Sequence, residues 1–303
     1  MKKNKYIRFI LAFYVSIIFL MCTFCTKKYT PEPTNQQPEP ISTDILFIGH
    51  KGGGSNNFNP QFVENTLPSV IDGLKTLDGV EVDLQMSLDG TIWLMHNMDL
   101  NYIVCNDTSY HHCIVLMHDS VISKLKICND TVQDRIYKLS ELIDYWNAST
   151  NGFYISLHVK TDFPADTFNL IGSKDAYLQK MADNLGNTLS IINHPNHLFL
   201  EINYKPFCDR LRNKVSDIKF CYLSEGDFSQ RIDSAITKNY NGISNSYSST
   251  SVTVDAVQKA KDKGLFVQLW TPYYLDELKA AFKLHPSTIQ TDNLSVKKEL
   301  NIK

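Results

Sequence analysis

Two acidic residues stand inside an otherwise apolar segment of the chain. Glu81 and Asp83 lie two residues apart in segment 79–85, GVEVDLQ. If this segment is a strand, alternate side chains share a face, and both carboxylates point the same way. Adjacent carboxylates repel each other unless a cation lies between them, and a hard divalent metal suits that place. An exposed sheet edge is the alternative, but an apolar strand predicts burial, and unpartnered buried carboxylates are costly.

Two histidines follow other apolar segments. His50 comes directly after segment 45–49, and His96 follows segment 92–95, just beyond the turn-forming pair Asp89-Gly90. Imidazole gives and takes protons near neutral pH, so the two rings can serve as a general acid and a general base. A single histidine at a strand end is more commonly a hydrogen-bonded core or rim residue. The catalytic interpretation therefore requires both strand ends to open onto one cavity.

Apolar runs and amphipathic segments alternate along the chain from residue 45 onward. This alternation predicts a parallel sheet covered by helices, and the number of units in 303 residues fits an α/β protein with a (β/α)8 TIM-barrel fold. A doubly wound open sheet is the alternative. In a barrel, the carboxyl ends of the strands form the active-site face, so the two histidines and the acidic pair would meet there. The predicted strands are 45–49, 80–84, 92–95, 153–159, 198–202, 218–223, 242–244, 265–270 and 288–290, and the predicted helices include 66–77, 139–146, 176–189, 252–263 and 275–284.

An irregular insertion, residues 97–137, interrupts the alternation after the second strand region. A segment of this length inside a compact domain is usually functional or forms a small subdomain. Its residue types would allow a structural zinc site, but the spacing matches no familiar zinc pattern, and a disulfide or an unliganded loop is favoured. The candidate ligands are Cys105, His111, His112, Cys113, His118 and Cys128.

The amino-terminal segment has the features of an export signal. Basic residues precede an apolar run over residues 9–24, which is short for a membrane-spanning helix. We expect residues 1–25 to be a signal peptide and residues 26–43 a Pro-rich linker, followed by the barrel domain over residues 44–303. Cys22 or Cys25 would carry a lipid anchor, which predicts an exported, periplasmic or cell-surface protein tethered to a membrane. Simple secretion and a buried helix are the alternatives. The net charge of -2 gives no indication of a nucleic-acid partner.

Five short motifs, taken in order, resemble the glycerophosphodiester phosphodiesterase family. They are His50-Lys51-Gly52, Glu64-Asn65-Thr66, Glu81-x-Asp83, Asp89-Gly90 and His96-Asn97, with weaker matches at Trp270-Thr271 and Thr291-Asp292. The resemblance implies a phospholipase-C-like TIM barrel that hydrolyses glycerol phosphodiesters with the help of a divalent metal, Ca²⁺ or Mg²⁺. The expected partner is therefore a small-molecule phosphodiester.

The resemblance also implies a role for each matching residue. His50 and His96 would be the acid/base pair, and Glu81 and Asp83 would hold the metal. Lys51 and Lys160 would contact the substrate phosphate. Three further residues are secondary candidates: Glu64, Glu201 and Trp270.

Three site residues depart from the family pattern. Lys51 replaces an arginine, which keeps the charge but loses the bidentate fork. Asn97 replaces an aspartate. His158 replaces the third metal carboxylate, and two carboxylates with one imidazole suit zinc or manganese better than calcium. We hypothesise that Glu201, an acid in the apolar run 198–202, faces the barrel lumen and compensates for the lost carboxylate.

The leading prediction is a metal-dependent phosphodiesterase that cleaves a glycerophosphodiester to glycerol phosphate and an alcohol. A phospholipase C- or D-like hydrolase of lipid headgroups is one alternative, and an apolar ridge at the barrel mouth would indicate it. The other is a degenerate barrel that binds a phosphorylated ligand without turnover. The substitutions at Lys51, Asn97 and His158 favour this last alternative, whereas retention of both histidines and both strand carboxylates opposes it.

Overall fold

The computed structural model describes residues 43–105, 113–149, 152–163 and 165–302. The strands in these residues are β1 (Leu46–Gly49), β2 (Gly79–Met86), β3 (Ile92–Leu94), β4 (Lys126–Cys128), β5 (Gln133–Arg135), β6 (Tyr154–Val159), β7 (Leu198–Glu201), β8 (Lys219–Leu223), β9 (Gly242–Ser246), β10 (Phe266–Trp270) and β11 (Thr288–Thr291).

Eight of these strands form a closed parallel barrel. The hydrogen-bonded order is β1-β2-β6-β7-β8-β9-β10-β11, and β1 pairs with both β2 and β11. This double pairing of β1 closes the sheet, so the TIM-barrel prediction is confirmed and the open-sheet alternative is excluded. Strand β3 adds to β2 as an antiparallel hairpin.

Helices connect the strands and cover the outside of the barrel. Their apolar faces pack on the sheet, while side chains of neighbouring strands fill the lumen, which explains why all eight residues of β2 are buried. The helices are α1 (Leu67–Gly73), α2 (Asp119–Ile122), α3 (Leu139–Ala148), α4 (Ala165–Ile171), α5 (Lys174–Leu189), α6 (Lys205–Arg212), α7 (Phe228–Thr237), α8 (Val254–Asp262), α9 (Leu275–Lys283) and α10 (Val296–Glu299).

The lumen contains a polar layer centred on Glu201. Its Oε1 atom accepts hydrogen bonds from Ser156 Oγ (2.7 Å) and Gln290 Nε2 (3.2 Å), and its Oε2 atom accepts one from Ser244 Oγ (2.7 Å). These donors lie on β6, β11 and β9, which surround β7 across the barrel interior. The contacts confirm that Glu201 faces the lumen.

The insertion forms a small subdomain beside the β2–β3 hairpin. Strands β4 and β5 pair antiparallel, and a disulfide joins Cys105 to Cys128. Apolar side chains of the insertion, among them Ile103, Ile114 and Ile127, pack in one cluster with Trp93 and Met95. The insertion is therefore anchored directly next to the segment that carries His96.

The disulfide removes two of the proposed zinc ligands in the insertion. Cys105 and Cys128 are bonded to each other, and His118 Nδ1 lies 2.8 Å from Asp89 Oδ1. His111 and His112 lie outside the described residues. The zinc hypothesis is therefore wrong for Cys105 and Cys128, and the disulfide favoured from the sequence is present.

The predicted signal peptide, the lipidation candidates Cys22 and Cys25 and most of the Pro-rich linker lie outside the described residues. Among the helices that are described, none has the length and apolar character needed to span a membrane.

Candidate active site

A cavity of about 240 Å³ opens at the carboxyl ends of the barrel strands. Its position matches the face on which TIM-barrel enzymes carry their active sites. The predicted residues that line it are His50, Glu81, Asp83, His96, His158, Glu201 and Trp270. The barrel therefore brings residues from six strands or strand ends around one space, as the sequence interpretation required.

Three of these residues form a candidate metal site. Ligand atoms of Glu81, Asp83 and His158 all lie within 4.8 Å of one another. Asp83 on β2 and His158 on β6 are directly paired in register, which fixes their separation. This grouping agrees with the ligand set expected from the sequence.

The chemistry of Glu81 fits a bound cation. Within the described residues its Oε1 atom is buried and has no hydrogen-bond partner. Burial raises the pKa of the Glu81 carboxyl well above its usual range, and the negative charges of Asp83 and Glu201 raise it further. A divalent metal would supply the missing partner and offset the repulsion between the carboxylates.

Asp83 is held on both sides by neighbouring side chains. Asn65 Nδ2 donates to Asp83 Oδ2 at 3.0 Å, and the Asp83 backbone N–H donates to Asn65 Oδ1 at 2.8 Å. His158 Nδ1 lies 3.0 Å from Asp83 Oδ1, and Lys160 Nζ lies 3.8 Å from it. Burial opposes ionisation of Asp83, but the hydrogen bond and charge of His158, with the charge of Lys160, hold its pKa well below its usual range.

Asn65 belongs to one of the sequence motifs, but the sequence assigns it no role. Its backbone has φ of +58°, a left-handed conformation that asparagine adopts more readily than most residues. Because its amide contacts both the carboxylate and the backbone of Asp83, Asn65 positions that metal-ligand candidate.

His50 is oriented by a carboxylate from the far end of the chain. Its Nδ1 atom lies 2.9 Å from Asp292 Oδ1, and Asp292 also accepts the backbone N–H of Ser55 at 2.7 Å. This contact leaves Nε2 of His50 as the ring nitrogen for proton transfer. Thr291-Asp292 is recognisable as a motif in the sequence, but this role of Asp292 is not.

His96 lies on the segment after β3, partly buried in the cavity wall. Gln85 Nε2 donates to the carbonyls of Met95 (3.0 Å) and Asn97 (2.8 Å), which fixes the backbone on both sides of His96. Burial lowers the pKa of the His96 imidazole, and the charges of Lys51 and Lys160 lower it further, although Asp83 opposes them. His96 is therefore suited to accept a proton at neutral pH.

The ammonium of Lys51 is paired with a carboxylate outside the acidic cluster. Lys51 Nζ donates to Glu64 Oε1 at 2.8 Å, while its backbone N–H donates to Glu81 Oε2 at 2.9 Å. Burial opposes its charge, but Glu64, Asp83 and Glu81 outweigh burial and raise the pKa of Lys51. Glu64 thus engages the Lys51 ammonium, and a direct contact between Lys51 and phosphate stays a prediction.

Two secondary candidates have defined positions in the cavity. Both carboxylate oxygens of Glu201 accept hydrogen bonds from the lumen side chains, which leaves it outside the group of three candidate ligands. Its contacts therefore do not support the hypothesis that Glu201 replaces the lost metal carboxylate. Trp270 lines the cavity, and its indole N–H has no partner in the described residues.

Comparison with known proteins gives a consistent result. Residues 50–296 match the sequence model of the Glycerophosphoryl diester phosphodiesterase family. No match was found among curated proteins.

Several solved structures share the fold at low sequence identity. A Silicibacter pomeroyi protein assigned to the glycerophosphoryl diester phosphodiesterases aligns with a TM-score of 0.71 at 18% identity, over 87% of this chain and 95% of that one. A Thermotoga maritima glycerophosphodiester phosphodiesterase aligns with a TM-score of 0.61 at 17% identity, over 84% of this chain and 97% of that one. An Oleispira antarctica phosphodiesterase was solved with the product sn-glycerol-3-phosphate. It aligns with a TM-score of 0.66 at 16% identity, over 84% of this chain and 96% of that one.

Proposed function

Because this chain belongs to the glycerophosphoryl diester phosphodiesterase family, we propose that it cleaves a glycerophosphodiester to glycerol phosphate and an alcohol, using a divalent metal and two histidines. Family membership makes it a phosphoric diester hydrolase. The observation that supports the finer proposal is the single cavity lined by His50, His96 and the acidic cluster. The product bound to the Oleispira antarctica phosphodiesterase supports a small-molecule phosphodiester as the substrate.

In the proposed mechanism the two histidines have different tasks. His96, with its lowered pKa, accepts the proton of the attacking oxygen as that oxygen bonds to phosphorus. His50, held through Nδ1 by Asp292, delivers a proton from Nε2 to the leaving alkoxide as the phosphorus–oxygen bond breaks. Lys160 adds positive charge near the phosphate.

Glu81, Asp83 and His158 would hold the metal. When bound, a divalent metal neutralises phosphate oxygens and polarises the phosphorus centre. We propose Zn²⁺ or Mn²⁺ as the occupant, because an imidazole in the donor set favours these ions over Ca²⁺. Calcium or magnesium, the family expectation, is the competing assignment, and metal analysis of the purified protein by mass spectrometry distinguishes the two.

The activity test uses the purified protein with glycerophosphocholine, glycerophosphoethanolamine and glycerophosphoinositol, each with a panel of divalent metals. We expect release of alcohol and glycerol phosphate, and a loss of about 100-fold or more in kcat for His50→Ala and for His96→Ala. Absence of alcohol release from every diester with every metal would overturn the proposed function.

A second candidate function is hydrolysis of intact lipid headgroups. Three aromatic rings stand together in loops that follow β1 and β10, on the active-site face. Phe58 and Tyr273 stack with centroids 3.9 Å apart, and Tyr274 contacts both rings. Aromatic side chains favour the membrane interface. Headgroup release from phospholipid vesicles that falls in Phe58→Ala would support this function, and inertness toward vesicles would exclude it.

We further propose that the protein is exported and tethered to a membrane through Cys22 or Cys25. The basic start and short apolar run support export, and the Pro-rich spacer supports a tether. Labelling with radioactive palmitate in cells tests the anchor. Loss of label in Cys22→Ser or in Cys25→Ser identifies the lipidated residue, and an unlabelled wild-type protein would contradict tethering.

A further inference from the structure

A second cavity adjoins the active-site cavity at the mouth of the barrel. It has a volume of about 410 Å³, within the size range of small-molecule pockets. Leu223, at the end of β8, and Glu225, in the loop that follows, line both cavities. The two spaces are therefore neighbours at the barrel mouth.

A phosphodiester carries two ester arms on one phosphorus atom. If phosphorus lies between His50 and His96, the arms must leave the active-site cavity in different directions. Val159, on β6, lines the second cavity, and its neighbour His158 lines the active-site cavity. Trp270, on β10, lines the active-site cavity and not the second one. The second cavity is thus a place for one arm.

The walls of the second cavity are mostly polar. Charged and hydrogen-bonding side chains line it, with Val159 and Leu223 as its larger apolar contacts. The polar side chains that matter for recognition are Asp162, Lys174, Asn203, Ser224, Glu225 and Arg231. These include two cations and two carboxylates, and in the described residues the structure gives none of these four an ion pair. The cavity therefore offers both donors and acceptors to a ligand.

The composition of the walls discriminates between classes of alcohol. A quaternary ammonium such as choline is usually bound against aromatic faces, and no aromatic side chain lines this cavity in the described residues. An acyl chain would require apolar walls. A polyhydroxylated alcohol uses mixed donors and acceptors such as carboxylates, a carboxamide and a guanidinium.

The loop that carries part of this wall is held by hydrogen bonds to residues of β9. Asn245 Nδ2 donates to Ser224 Oγ and to the Gly226 carbonyl, both at 3.4 Å, and the Ser224 backbone N–H donates to the Ser244 carbonyl at 2.9 Å. Glu225 lies within this loop, and Arg231 follows on the first turns of α7. The wall is therefore positioned before a ligand arrives.

We propose that the second cavity binds the alcohol arm of the diester and selects a polyhydroxylated alcohol, such as glycerol, inositol or a sugar, over choline. This inference rests on the proposed function. Arg231 and Asp162 are specificity residues in this assignment, since they present a donor fork and an acceptor carboxylate at one cavity.

The test compares kcat/KM for glycerophosphoinositol, glycerophosphoglycerol and glycerophosphocholine in wild-type protein and in Arg231→Gln and Asp162→Asn. We expect wild type to favour the two polyol diesters by about tenfold or more. Each variant should lose about tenfold on them and much less on bis-p-nitrophenyl phosphate, which has no hydroxyl groups to contact these side chains. Lys259→Gln, an exposed cation on α8, is the control and should match wild type on all substrates.

The outcomes separate the two proposals. Hydrolysis of the diesters with equal or greater efficiency on glycerophosphocholine would overturn the cavity assignment and leave the proposed function standing. Equal losses on all substrates in Arg231→Gln would also overturn the assignment, because a specificity residue should spare the aryl ester. Absence of activity of the wild-type protein on every diester would overturn the proposed function itself.

Discussion

At the scale of single residues, the candidate metal site depends on groups that do not touch the metal. Asp83 is fixed through two hydrogen bonds by Asn65, which is not a candidate ligand. Such supporting contacts orient ligands and typically change metal affinity by 10- to 100-fold when removed.

Asn65→Gly should therefore weaken metal binding about 10- to 100-fold without disturbing the backbone, because glycine also adopts a positive φ. Isothermal titration with Mn²⁺ or Zn²⁺ measures the affinity. Asn213→Ala, an exposed asparagine at the end of α6, should bind the metal like wild type. Wild-type affinity in Asn65→Gly would show that Asp83 needs no support from this amide.

The lowered pKa of His96 predicts the pH dependence of activity. Since the base must be neutral, the acidic limb of kcat/KM should lie below the ordinary histidine pKa of 6.5. A bound cation would shift the limb in the same direction. A pH–rate profile measures it, with His118→Gln as a control that leaves the limb unchanged. An acidic limb at or above that value would contradict the assignment of His96 as the base.

Asp292 predicts how stability depends on pH. Burial opposes its ionisation, but His50 and the Ser55 N–H outweigh burial and lower its pKa below 3.8. Its folded-state pKa is thus below its unfolded value, so its contribution to stability is present above about pH 4 and is lost as pH falls through the folded value. Each unit by which folding lowers the pKa of Asp292 contributes about 1.4 kcal/mol to the free energy of unfolding.

Urea unfolding of Asp292→Asn tests the predicted direction of the pH dependence of stability. The free energy of unfolding of the variant should fall less than that of wild type between pH 5 and pH 3 (an interval around the value of 3.8). An equal fall in the free energy of unfolding of the two proteins would show that Asp292 does not contribute to the loss of stability at acidic pH.

At the scale of elements, the insertion is held to the barrel by covalent and polar contacts. The Cys105–Cys128 disulfide closes a loop with a sequence separation of 23. Asn129 Nδ2 donates to the carbonyls of Pro60 and Phe62, so the insertion also contacts the loop after β1. The insertion is therefore adjacent to the segment that carries His96 and to the loop that follows His50.

Replacing both cysteines, Cys105→Ser with Cys128→Ser, should lower the free energy of unfolding by about 2–4 kcal/mol, since the unfolded loop is no longer closed. Urea unfolding measures the change, and limited proteolysis shows whether cleavage begins in the insertion. Cys113→Ser, which removes an unpaired thiol, should cost much less. Unchanged stability in the double variant would mean that the disulfide constrains nothing.

The elements were unequally predictable from sequence. The barrel strands were recovered because they are short buried apolar runs, as in β2 and β7. Strands β4 and β5 were not, because each has three residues and largely polar or exposed side chains. Closure of the barrel depends on pairing between β1 and β2 and between β1 and β11, and no local periodicity reports such contacts.

The candidate site, like the elements, was only partly predictable from the sequence. Glu81 and Asp83 were identified from residue type and spacing and His158 from the family resemblance, and the barrel places the three together. The contact between His50 and Asp292 joins residues separated by 242 positions, so only the fold reveals it. The pairing of Lys51 with Glu64 could not be predicted either, because the loop between them has no regular structure.

At the scale of the whole molecule, metal binding should stabilise the native fold. At a metal concentration 100 times the dissociation constant, the free energy of unfolding should rise by about 2.7 kcal/mol. Urea unfolding with metal and with chelator measures this increment. Glu81→Gln should lose the increment but be at least as stable as metal-free wild type, because it removes charge repulsion between buried carboxylates. An equal increment in Glu81→Gln would place the metal elsewhere.

The position of β1 also has a consequence for synthesis. Because β1 lies between β2 and β11, the sheet cannot become a cylinder until the residues of β11 have left the ribosome. A nascent chain lacking β11 would keep an open edge on β1 and another on β10, and exposed edges recruit other strands.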